Sequence, residues 1–131
     1  MSVGPNGLAG QFGPLEFAIL EALWAGGESS VGECAERLSG GQAYTTVKTV
    51  MERMTVKGLL LRRKESRAYR YSAARTRDEM NRDAAERSSR ELLAGFGSVA
   101  VSSFVDAIDP SSPEFDDLVA RLRAVAGRTE E

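Results

Sequence analysis

The chain has 131 residues, 42% of them apolar, a net charge of −2, one cysteine and no histidine. That length holds one domain, or one small domain with an appendage. Cys34 alone excludes an internal disulfide and fits a reducing cytoplasm, while the lack of histidine excludes histidine-dependent triads and argues against a zinc or copper site.

The charge is unevenly spread. Residues 1–36 carry five acidic and no basic side chains, residues 37–90 fourteen basic against six acidic, and residues 91–131 three basic against eight acidic. A basic middle between acidic ends is the footprint expected for a polyanionic partner. Residues 1–13 are Gly-rich and aperiodic, which predicts a flexible tail. They have neither the basic start nor the apolar stretch of a secretory signal, and no apolar run in the chain is long enough for a transmembrane helix. Pro14 can open a helix. Leu15 to Ala25 then sets Phe17, Leu20, Leu23 and Trp24 on one face, and Gly26-Gly27 ends it. Ser30-Val31-Gly32-Glu33 is a capping-box pattern that starts a short helix ending near Leu38.

After a turn at Ser39-Gly40-Gly41, Val47, Val50, Met51 and Met54 follow the i, i+3, i+4, i+7 spacing of an amphipathic helix. Thr45, Lys48, Thr49 and Glu52 fall opposite, flanked by Thr46, Arg53 and Lys57, and Gly58 suits the left-handed position after the last turn. A face that is hydroxylated at its start and basic along its length suits a major groove. An ordinary surface helix with threonines on its wet side is the alternative.

Leu59 to Lys64 and Arg67 to Ser72 predict two strands about a Glu65-Ser66 turn. Arg62, Arg63, Lys64, Arg67 and Arg70 concentrate positive charge there, as in a wing that contacts phosphates; a solvated charged hairpin is the alternative. Thr76-Arg77-Asp78-Glu79 is a second capping box. Its helix has a weakly apolar stripe (Met80, Ala84, Ser88, Leu92, Leu93) and is expected to project from the first domain. Gly95 and Gly97 bracket Phe96 in a break. Val99, Val101, Phe104, Val105 and Ile108 make a short apolar helix. Ser112 caps, and Pro113 opens, a last helix with Phe115, Leu118, Val119, Leu122 and Val125 on one face.

About forty residues rarely bury so much apolar surface alone. A second copy across a two-fold axis is the expected solution, with Leu92, Phe96, Val101, Phe104, Val105, Phe115, Leu118 and Leu122 at the interface. A monomer whose helices fold back is the alternative. The expected fold is mainly α with a small β-hairpin wing: a tail over 1–13, a winged helix-turn-helix DNA-binding domain over 14–75 and a helical dimerisation region over 76–131. No catalytic constellation is present, and no cofactor is expected. Cys34 reads as a small packed residue. The competing function is a winged-helix protein–protein module without a DNA target.

The strings Ala43 to Met54, Lys57-Gly58-Leu59-Leu60 and Arg67 to Ser72 together resemble the signature of the penicillinase repressors, the BlaI/MecI/CopY family of winged-helix regulators. The resemblance covers about Leu15 to Ser72 well and residues 76–126 in outline. It implies a cytoplasmic homodimer that represses transcription from an inverted-repeat operator with a TACA/TGTA core. Carried over, the recognition helix runs from Tyr44 to Lys57, with Tyr44 among its DNA-binding residues. Thr45, Thr46, Lys48 and Thr49 lie nearest the bases or their phosphates, Arg53 and Lys57 hold backbone, and Arg67 sits at the wing. Many relatives carry glycine in the wing turn where this chain has Ser66. The copper-responsive branch carries a C-terminal cysteine cluster, which this chain lacks, so copper sensing is not expected. In the antibiotic-responsive branch a membrane-linked metalloprotease cuts an Asn-Phe bond. Ser103-Phe104 is the nearest counterpart, although the spacing of Phe104 also suits a dimer core residue.

Overall fold

The computed structural model describes residues 7–130 and divides the chain after Ser88 into two compact units. Six α-helices and one hairpin follow in order: α1 Pro14–Gly26, α2 Val31–Arg37, α3 Tyr44–Val56, β1 Leu60–Glu65, β2 Ala68–Ala73, α4 Arg77–Phe96, α5 Ser98–Ala107 and α6 Pro113–Glu130. The fold class is the one expected. Three helices and a hairpin form a winged helix-turn-helix, and the remaining elements are helical.

Local chemistry sets the boundaries. The Glu33 N–H donates to Ser30 Oγ at 3.1 Å and the Ser30 N–H to Glu33 Oε1 at 3.3 Å, so the capping box of α2 is closed. Thr76 and Glu79 do the same at the head of α4, both at 3.1 Å. At the end of α3, Gly58 takes φ +83°, which lets its N–H reach Thr55 O and the Leu59 N–H reach Met54 O. This is a Schellman stop, and it turns the chain straight into β1.

The first unit holds the core. Ile19, Leu20 and Leu23 of α1, Val31 and Cys34 of α2, Val47, Met51 and Met54 of α3, and Leu60 and Tyr71 of the hairpin are all buried. The strands pair antiparallel from Leu60–Ala73 to Glu65–Ala68. The free edge of β2 takes one further bridge, Ser29 N–H to Tyr71 O at 2.9 Å and Tyr71 N–H to Ser29 O at 2.7 Å, which ties the wing's base to the loop before α2.

Four expectations need correction. Residues 7–13 are not a loose tail: Gly7–Gln11 form a 3₁₀ turn and Leu8 is buried in the core. Residues 1–6 lie outside the described residues. The first part of α4 does not simply project, because Met80 and Ala84 also join the core, and the division falls after Ser88 rather than at residue 76. The wing turn is Ser66-Arg67, one residue later than expected, because Glu65 still pairs with Ala68. The helix break lies at Gly97 alone (φ +58°), and Gly95 continues α4.

Candidate nucleic-acid interface

Helix α3 buries Val47, Met51 and Met54, half-buries Val50 and Thr55, and exposes its other residues in three strips. Tyr44, Lys48 and Glu52 recur every fourth residue and face the wing across a cleft of about 490 Å³. Ser30, Val31 and Gly32 of the α2 head and Arg67, Ala68, Tyr69 and Tyr71 of the hairpin complete that cleft. Thr45, Thr49 and Val56 form the crest opposite the core, by the roughly 100° turn per residue. Thr46, Arg53 and Lys57 lie on the far flank. All eight residues expected to bind DNA are exposed, and three of them, Tyr44, Lys48 and Arg67, line one cleft.

Hydrogen bonds refine their chemistry. Thr49 Oγ1 donates to Thr45 O at 2.9 Å, so its proton is spent inside the helix. Thr49 therefore presents a methyl group and oxygen lone pairs rather than a donor. Lys57 Nζ donates to Glu16 Oε2 at 3.0 Å, while Glu16 Oε1 accepts from the Gly13 N–H at 3.1 Å. The Lys57 hydrogen bond first, then that of Gly13, holds the Glu16 carboxyl below its ordinary range. Glu52 faces the cleft.

The wing's cations divide by face. Arg62 stacks on the Tyr69 ring at 4.1 Å, on the side of the cleft. Arg63 and Arg70 pair with each other across the strands and turn to the back, where Glu28 and Glu33 meet them. Of the five basic hairpin residues, these two are therefore met by carboxylates of the loop before α2 and of its first turn. Lys64 and Arg67 have no ion pair among the described residues.

Two residues were missed by sequence reasoning. Val56 is 89% exposed at the end of the crest, and its position seven residues after Thr49 was the available signal. Tyr69 was visible only as one member of an alternating strand, with nothing to mark it as the platform for Arg62. Cys34 is buried, and burial pushes its thiol above the ordinary value, as befits a packed and unreactive residue. No group of acidic, cysteine or histidine side chains that could hold a metal is found among the described residues.

A family model described as the penicillinase repressor matches residues 12–124. The chain belongs to the penicillinase repressor family. Curated relatives include the transcriptional regulator BlaI of Mycobacterium tuberculosis, 40% identical over 73 residues, which are 53% of this chain and 53% of the relative. The chain thus spans about half the length of the curated relatives it matches. Solved structures similar to it include a transcriptional regulator of Thermotoga maritima, 24% identical, covering 91% of this chain and 79% of that one with a TM-score of 0.47. A MarR family protein of Bacillus stearothermophilus is 19% identical, covering 95% and 81% with a TM-score of 0.48. The penicillinase repressor family is one of transcriptional regulators and not of enzymes. No helix among the described residues is long and apolar enough to cross a membrane.

Proposed function

We propose that the chain is a homodimeric, sequence-specific repressor acting in the cytoplasm, which lays α3 in the major groove of an inverted-repeat operator of the TACA/TGTA type. Arg67 at the wing tip rests on the neighbouring backbone. The observation that carries the reading is the exposed face of α3: Thr45, Thr46 and Thr49 for base edges, Lys48 and Arg53 for phosphates, and Tyr44, Lys48 and Arg67 together in one cleft. A face so charged is a poor centre for a protein interface, which is usually depleted in charge. Threonine methyls against thymine methyls suit an A/T-containing half-site.

The second unit supports the dimer. No described residue of α5 or α6 is buried, and Leu92, Phe96, Val101, Phe104, Val105 and Leu122 stand exposed, with Phe115 and Leu118 half-buried. Covering these side chains with a second copy would remove the apolar surface from water. Release of the operator would follow cleavage of the Ser103-Phe104 bond by a membrane-linked metalloprotease. That bond lies within α5, so cleavage requires part of the helix to unwind.

The test is a titration of an inverted-repeat duplex and a scrambled duplex at several salt concentrations. Tight, salt-dependent binding to the repeat alone is expected. Thr46→Ala should cost about 1–3 kcal/mol on the repeat and little on the scrambled duplex. No binding to either duplex at low salt would leave the interaction-module reading in its place.

A further inference from the structure

The outer half of the wing has no buried side chain. Lys64, Glu65, Ser66, Arg67, Ala68 and Tyr69 are all exposed, and a two-stranded hairpin without a packed face is marginal. Immediately inward, Arg63 and Arg70 stand directly opposite each other, a like-charge pair that opposes strand pairing.

Both arginines are met from behind by Glu28. Arg63 Nη2 and Nε donate to its carboxylate at 2.6 and 2.9 Å, and Arg70 Nε at 3.4 Å. Arg70 also donates from Nη2 to Glu28 O at 3.0 Å and from Nη1 to Glu33 Oε1 at 2.8 Å. Glu65, beside the turn, reaches back to Arg70 at 3.4 Å and Arg63 at 3.9 Å. Glu28 is itself fixed, because the next residue, Ser29, is bridged through its backbone to Tyr71. The Arg70 side chain is only 25% exposed, and a phosphate would have to displace carboxylates to reach it.

We infer that Glu28, Arg63 and Arg70 form a clamp that holds the outer wing, so that Arg63 and Arg70 serve DNA binding as positioning residues for Arg67 rather than as phosphate ligands. The inference rests on the DNA reading proposed above.

The experiment uses the full chain on the inverted-repeat duplex and reads the slope of log affinity against log salt for the wild type and four variants. These are Arg67→Ala, Arg70→Gln, the Arg67→Ala/Arg70→Gln double variant and Glu28→Gln. Arg67→Ala should lower the slope by about one unit. Arg70→Gln should lower it equally, and the double variant no further, with affinity matching the single variants within about a factor of two. A double variant whose slope falls by about two makes Arg70 a phosphate ligand and overturns the clamp. Glu28→Gln removes a negative charge, so electrostatics alone predicts tighter binding and a steeper slope, whereas the clamp predicts weaker binding and a shallower one. Tighter binding therefore also overturns it. Circular dichroism checks each variant's fold, and if Arg70→Gln is unfolded, Glu28→Gln decides. A wild-type chain that binds no duplex sinks the DNA reading itself, while additive slopes in a chain that binds sink the clamp alone.

Discussion

The two units of this chain spend their apolar side chains in opposite ways. In the first, Ile19, Leu20, Val47, Met51 and Met54 are fully buried in a core built by the unit's own helices and hairpin. In the second, Phe96, Phe104 and Leu122 are 65%, 60% and 57% exposed. Both sequences are amphipathic, so the difference lies in what covers the apolar side. The first unit brings three helices and a hairpin around one centre, whereas the second has too few elements to surround its own apolar stripe. It fits a surface completed by another copy.

The contrast is broken most directly in the first core. Met51→Ala should cost about 2–5 kcal/mol and lower the denaturant midpoint of the first unit, since a buried methionine leaves a cavity. The same kind of truncation of an exposed side chain would not. Phe104→Asp is the matching change in the second unit. It should leave the melting of the first unit unchanged and weaken self-association by tenfold or more, on the order of the transfer energy of one phenylalanine. A self-association constant that sedimentation finds unchanged from the wild type would move the interface elsewhere.

Smaller changes sharpen the picture within the first unit. Ser66 holds φ +59°, where a side chain is strained and glycine is not. Ser66→Gly should therefore raise stability, by up to about 1 kcal/mol after the flexibility of glycine is counted. The smallest effect concerns Glu16. Its carboxyl is held below the ordinary range, so its contribution is complete above the unfolded value and is lost as pH falls through the folded one. The pair with half-exposed Lys57 is worth about 0.2–1 kcal/mol. Glu16→Gln should flatten that part of the acid limb of a stability–pH curve and leave the curve unchanged at pH 8 and above in shape.

Much of this fold was legible because its signals are local. Val47, Met51 and Met54 repeat at helical spacing, Ser30 with Glu33 and Thr76 with Glu79 announce helix starts, and Gly58 announces a stop. The 3₁₀ turn at Gly7–Gln11 was not legible, because its one buried side chain, Leu8, stands in a glycine-rich stretch. The candidate site was legible in outline from Tyr44, Lys48 and Arg67. Its electrostatics were not: Glu28 lies 35 residues from Arg63 and 42 from Arg70, and no periodicity reports an ion pair at that distance. Nor does the sequence reveal that the hydroxyl of Thr49 is committed to Thr45.

The order of the sheet has a consequence apart from DNA. Among the described residues strand β1 pairs only with β2, so its other edge offers N–H and C=O groups to a passing strand. A second wing could add there and seed edge-to-edge aggregation. Along that edge stand Arg62, Arg63, Lys64 and Glu65, four consecutive charged side chains that must be desolvated before a new strand can dock. Exchanging them for threonine or valine would suit the strand better and expose the chain to self-assembly. The wing's charge thus opposes edge-to-edge pairing between copies.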